Sequence, residues 1–193
     1  WLLEAYQIKK GPYFQVLNIQ NLCGLRKTVE KGIEKIKNML PYVDKITRKL
    51  CPASDLVVGL QCGGSDAWSG ITANPALGHA CDLLVSKGGT GVLSETPEIY
   101  GAEHLLIRRA ANHKISKKLI ERIEWWESYT KRNFGTMDNN PSPGNKIGGL
   151  TTILEKSLGA VSKAGTSKLN GVYKYAEIIK DKGAFMFLFC PSI

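Results

Sequence analysis

Between residues 55 and 93 the sequence reads as one connected folding unit. Asp55-Leu-Val-Val-Gly-Leu60 is a short apolar run of strand-forming residues, and residues 61–70 form a loop of Cys, Gly, Ser and Asp. A helix then opens at Asn74-Pro75, where an Asn side chain caps free N–H groups and Pro suits the first turn. Leu77, Ala80, Cys81 and Leu84 supply its apolar face, Gly88-Gly89 ends it, and residues 90–93 form a second strand. Two strands joined through a helix favour a parallel pair with a right-handed crossover. The expected fold is α/β, a parallel-sheet, Rossmann-like core with flanking helices. In such sheets ligands gather beyond the carboxyl ends of the strands, so the loop at 61–70 and Ser94-Glu95 should face one crevice.

The other segments fit this frame. Residues 14–19 read as a short extended segment, and residues 26–40 as an amphipathic helix carrying Val29, Ile33, Ile36, Met39 and Leu40 at helical spacing. Helical patterns return over 103–111, over 116–132 with Leu119, Ile120, Ile123 and Trp126 as a stripe, and over 150–158; residues 184–189 read as a last strand. Adjacent Trp125 and Trp126 cannot both face one core. Residues 133–149 are polar, with two prolines and four glycines. They are either a flexible linker and sub-boundary, or a binding loop whose Gly148-Gly149 step presents backbone N–H groups to an anion.

Composition narrows the function. A chain of 193 residues with 43% hydrophobic content can bury a core, and no stretch approaches the ~18 apolar residues of a membrane span. No signal peptide is legible, so a cytoplasmic protein without membrane contact is expected. The five cysteines, Cys23, Cys51, Cys62, Cys81 and Cys190, are odd in number and lack zinc-type spacing, which favours free thiols. The net charge of +9 raises the question of nucleic acid. However, residues 51–100 carry only Lys87 against Asp55, Asp66, Asp82, Glu95 and Glu98, so the loop-bearing region is net negative. The surplus lies in helical patterns and reads as solvated helix faces, and no nucleic-acid partner is expected. No phosphate loop, GxGxxG, HExxH or GxSxG motif is present.

Four strings carry a resemblance: Gln61-Cys62-Gly63-Gly64-Ser65-Asp66, Thr72-Ala73-Asn74-Pro75, Ser94-Glu95-Thr96-Pro97-Glu98-Ile99-Tyr100-Gly101-Ala102-Glu103, and Asn140-Pro141-Ser142-Pro143-Gly144-Asn145-Lys146. Together they resemble the altronate and galactarate dehydratases, the third string being closer to the altronate branch. The resemblance covers residues 18–187. It departs at Cys23-Gly24-Leu25 and after Phe187. Family members are much longer, so this chain is expected to be the central α/β portion of a larger enzyme, a fragment without its N- and C-terminal domains. The resemblance leaves room for a homo-oligomer.

The implied chemistry is elimination of water from a sugar acid to give a 2-keto-3-deoxy acid. A base removes the proton α to the carboxylate, and the enediolate needs electrostatic support. The resemblance implies divalent iron or a similar divalent metal, an iron–sulfur cluster being the variant, with Cys62 as thiolate ligand; the alternative is a thiol that merely packs. Glu95 is the candidate base, against a role in shaping the Pro97 turn, and Asp66 holds sugar hydroxyls or a metal, against dipole stabilisation of a helix start. Gly63 and Gly64 let the backbone approach a ligand, and Ser65, Ser69, Thr72 and Asn74 offer polar contacts. Asn145 and Lys146 are candidates for the substrate carboxylate, against a solvated loop. His79 reads as a core or boundary residue. The alternative to a lyase is a truncated homologue that binds ligand, or serves structurally, without turnover.

Overall fold

The computed structural model describes residues 2–189 and divides into two compact units, one up to Leu50 and one from Cys51 onward. In the first unit, a short helix α1 (Leu2–Ala5) precedes the amphipathic helix α2 (Leu25–Val43), which matches its expected span within a few residues. Residues 14–19 form no strand; a single bridge between Gly11 and Phe14 is the extent of pairing there. The backbone of this segment bonds locally instead, Phe14 with Gly11 and the carbonyls of Asn18 and Ile19 with the N–H groups of Leu22 and Gly24, so no ladder forms.

The second unit is the α/β body. Its strands β1 (Val57–Leu60), β2 (Thr90–Ser94), β3 (Leu169–Tyr173) and β4 (Phe185–Leu188) form one sheet in the order β1-β2-β4-β3, every pairing parallel. Helix α3 (Ala73–Ser86) links β1 to β2, and α4 (Glu103–Ile107), α5 (His113–Arg132), α6 (Pro143–Ile147) and α7 (Ile153–Val161) lie between β2 and β3. The central strands show the two-residue alternation of a sheet covered on both faces. Leu93, Phe185 and Phe187 join Leu60, Leu106, Leu119 and Ile123 in the main core, while Val92 and Met186 turn to the other face with Tyr173 and Ala184. Trp126 is buried with Met137 and Phe189, whereas Trp125 is 40% exposed and stacks on Tyr129.

Close packing explains several residues. A Cβ on Gly91 would fall 2.3 Å from the Cys81 sulfur, so glycine there lets α3 lie close on the sheet. On the far side of α3, the Asp82 carboxylate accepts the backbone N–H groups of Thr166 and Ser167, which fastens the helix to the turn ahead of β3. Helix α3 starts at Ala73 with Thr72 as its cap position, and Asn74 is no cap: its buried amide donates to the Gly159 carbonyl over 3.1 Å and ties α3 to α7. Residues 133–149 lie within the second unit and hold a short 3-10 turn, Met137–Asn139, and helix α6. No helix among the described residues is long and apolar enough to cross a membrane. Cys23, Cys51, Cys62 and Cys81 are free thiols; Cys190 lies outside the described residues.

Candidate functional site

Parallel pairing of β1 with β2 puts Leu60 beside Leu93, so the segments that follow both strands emerge on one edge of the sheet. Residues 62–66 leave β1 there and Glu95–Glu98 leave β2. Residues 139–148 close over them, leaving a cavity of about 790 Å³. Its walls include Cys62 to Asp66, Glu95, Glu98, Asn140, Asn145 and Lys156. The crevice expected from the order of strands and helices is therefore present, and the segment 139–148 is one of its walls.

Glu95 stands where β2 ends, at φ 73°, in the left-handed region that non-glycine residues rarely occupy. That backbone turn aims a carboxylate into the crevice edge, and such strain persists only where surrounding contacts enforce it. Those contacts are the Gln61 amide and the Cys62 backbone N–H, each 3.2 Å from a Glu95 oxygen. Burial pushes the Glu95 carboxyl above the usual carboxylate range, and the neighbouring Glu98 carboxylate pushes it further.

Glu98 has the opposite fate. It is 2% exposed, yet its two oxygens meet two ammonium groups, Lys156 and Lys163, each at 3.2 Å. Burial alone would raise its pKa; Lys163, a hydrogen bond from Cys62 and Lys156 outweigh that and hold it below the usual range. Two carboxyls three residues apart are thus driven in opposite directions, the pattern that separates a proton acceptor from a permanently ionised group.

The other residues expected at the site divide into two groups. Cys62, Gly63, Gly64, Ser65, Asp66 and Asn145 line the cavity. The Cys62 sulfur lies 2.6 Å from the Ser65 hydroxyl, and one Asp66 oxygen accepts the Ser69 N–H at 2.7 Å. Asn145 is largely consumed by structure: its carbonyl oxygen meets Ser142 and Lys156, and its amide donates to the Ser65 carbonyl. Ser69, Thr72, Asn74 and Lys146 lie outside the lining. Ser69 closes the Asp66 turn, the Thr72 hydroxyl donates to the Trp68 carbonyl, and Lys146 is exposed on α6. His79, His104 and His113 are all exposed, so His79 is neither core nor boundary. The cations of the site are instead Lys156 and Lys163. Their signal was a spacing of seven, with Lys156 on the buried face of α7 beside Ile153, Ala160 and Val161 and Lys163 in the turn that follows the helix.

The donor set bears on a metal. Among the described residues no three His, Cys, Asp or Glu side chains are grouped to hold an ion. Glu98 is already neutralised by two lysines, leaving Cys62, Glu95 and the half-tied Asp66 without a common centre. These residues alone do not fit a divalent cation or an iron–sulfur cluster. They suit an anion better: among the described residues, the backbone N–H groups of Gly63, Gly64 and Ser65 have no hydrogen-bond partner, and a buried ammonium stands across the cavity.

The chain resembles known proteins over most of its length. Residues 53–192 match the family described as D-galactarate/Altronate dehydratase, C-terminal. The chain is 48% identical to galactarate dehydratase (L-threo-forming) of Escherichia coli K12 over 76% of its own length and 28% of the relative's. It is 44% identical to altronate dehydratase of Bacillus subtilis 168 over 80% of the chain and 31% of that relative. It is also 35% identical to the (2R)-sulfolactate sulfo-lyase subunit beta of Chromohalobacter salexigens, over 80% of the chain and 40% of the relative. The chain therefore spans about a third of the length of these relatives.

Proposed function

This chain belongs to the D-galactarate/altronate dehydratase family, and on that footing we propose that its cavity binds a 2-hydroxy sugar acid and eliminates water from it, giving a 2-keto-3-deoxy acid. The observation that carries the reading is the Glu95–Glu98 pair: one buried carboxyl set to accept a proton beside one held ionised by two lysines.

In this reading the substrate carboxylate rests on the free N–H groups of Gly63, Gly64 and Ser65, and the free oxygen of Asp66 accepts hydrogen bonds from sugar hydroxyls. Glu95 removes the proton on the carbon next to the carboxylate. Its raised pKa suits this task, because a general base works best when its pKa lies near the working pH. Negative charge then spreads onto the carboxylate oxygens, where the field of Lys156 stabilises it; all three of that ammonium's mapped contacts are to Glu98, Asn140 and Asn145, so it acts through space. Protonated Glu95 returns its proton to the departing hydroxyl. The C–H and C–O bonds break, water leaves, and the enol rearranges to the 2-keto acid. The sulfo-lyase relative fits the same frame, since its named substrate is also a 2-hydroxy acid and only the group lost differs. A divalent iron or a similar metal would take one bond from Cys62 and its remaining ligands from outside the residues described.

The test is formation of 2-keto-3-deoxy acid from galactarate and altronate by the 193-residue chain, beside calorimetric binding of both. Turnover abolished by Glu95→Gln with binding retained supports the lyase. Binding without turnover supports the ligand-binding module instead. Neither binding nor turnover overturns both.

A further inference from the structure

The chain holds a second buried cation that the elimination above does not use. Lys163 is 4% exposed at its side chain and is absent from the cavity lining. It lies in the turn Ser162–Ala164 that follows α7, seven residues beyond Lys156, about two helical turns along the same face. Between the two ammonium groups sits Glu98, one oxygen on each. We infer that Lys163 is a positioning residue of this cavity, acting through Glu98 to hold the Lys156 ammonium against the cavity wall. This rests on the reading of the cavity as the elimination site.

The geometry supports the inference in three steps. A carboxylate gripped at one oxygen can swing about its last torsion, a broad and roughly two-fold rotation; the Lys163 ammonium on its second oxygen, together with the Cys62 hydrogen bond, opposes that swing. Glu98 fixed in this way presents its first oxygen to Lys156 and leaves the other N–H groups of that ammonium to Asn140 at 2.8 Å and Asn145 at 3.2 Å. Both asparagines line the cavity, and Asn145 also holds the Ser65 carbonyl. A displacement at Lys163 therefore reaches the loop that carries the free N–H groups, through Glu98, Lys156 and Asn145 in turn.

Charge gives a second reason. Glu98 with Lys156 alone would be neutral, and Lys163 adds the positive charge that balances ionised Glu95 beside the crevice. Buried ion pairs seldom raise stability over well-packed apolar side chains. Two lysines on one buried carboxylate are therefore better explained by what they hold in place than by the stability they add.

The experiment uses the 193-residue chain with ¹⁵N-labelled lysine, as wild type, Lys163→Met and Lys163→Gln. Lys163→Gln keeps Glu98 and a polar donor beside it, and so keeps the inference testable should Lys163→Met fail to fold. In wild type the buried Lys156 ammonium should give a slowly exchanging ¹⁵N–H signal. Lys163→Met should broaden and shift that signal and lower kcat about tenfold while KM stays within about threefold, and Lys163→Gln should change both in the same direction by less. An unchanged Lys156 signal in the variant that folds, or wild-type kcat there, overturns the inference. The Lys156 signal is read without substrate. A wild type inactive on sugar acids would therefore sink the proposed function and leave this inference to be decided by the spectrum.

Discussion

The side-chain amide of Asn145 donates to the backbone carbonyl of Ser65 over 2.8 Å, joining two segments eighty residues apart in the chain. The same side chain accepts from the Ser142 backbone, the Ser142 hydroxyl and the Lys156 ammonium. A residue in a polar loop is thus the knot that closes the cavity. Asn145→Ala leaves the Ser65 carbonyl and one Lys156 N–H without partners in a largely buried place. Because unmade hydrogen bonds at buried groups cost about 1–3 kcal/mol each, the variant should lose about 2–3 kcal/mol in urea unfolding. Ligand affinity should fall with it, since the Gly63–Ser65 loop is no longer held.

Glu95→Gln should abolish turnover and stabilise the protein at neutral pH. The folded-state pKa of Glu95 is raised, chiefly by burial. Its ionisation therefore costs stability, and the cost grows as pH rises from the unfolded value near about 4.3 through the folded value, then stays constant. Removing the charge removes that cost. The unfolding midpoints of wild type and variant should accordingly converge in acid and separate toward neutral pH. Activity should appear as pH rises through the same raised pKa, since the base must be unprotonated, placing the acid limb of kcat/KM above the ordinary carboxylate range.

The strand-loop-helix-strand unit was legible because its period changes, from an apolar run to helical spacing and back, are bounded by Asn74-Pro75 and Gly88-Gly89. Strand β3 was not. Leu169-Asn-Gly-Val-Tyr173 is short and interrupted by two residues disfavoured in strands, and its pairing with β4 supplies what its own pattern lacks. Asn74 was read as a cap because local rules favour that; a tertiary partner, Gly159, claims its amide instead. Glu95 stood out by its place after a strand. Lys156 and Lys163 did not, because lysine is ordinarily a surface residue and only their partner, Glu98, explains their burial.

Glu98 makes the opposite pH prediction from Glu95. Its folded-state pKa is depressed, the two lysines and Cys62 outweighing burial, so its contribution to stability is present above the unfolded value and is lost as pH falls through the folded one. Wild type should therefore lose stability below about pH 4 through this group. Glu98→Gln should abolish that dependence and lower stability at neutral pH by about 3–5 kcal/mol, because it strands two buried ammonium groups. A Glu98→Gln protein as stable as wild type at neutral pH would contradict the buried triad.

Two glycines separate packing from function. A Cβ on Gly78 would sit 2.1 Å from the Ser162 carbonyl oxygen and 2.8 Å from the Gly165 nitrogen, both backbone atoms. Neither atom can give way without moving α3 from the turn that carries Lys163, so Gly78→Ala should cost about 1–3 kcal/mol or more, as overpacking does. A Cβ on Gly64 meets nothing within 4 Å, and the residue is not in the left-handed region. Gly64→Ala should therefore unfold within about 0.5 kcal/mol of wild type. It nevertheless sets a methyl group on the cavity lining beside a free N–H, so calorimetry should show sugar-acid binding weakened about tenfold, a loss of about 1.4 kcal/mol. Wild-type affinity in Gly64→Ala would mean that the substrate carboxylate rests elsewhere than on the Gly63–Ser65 backbone.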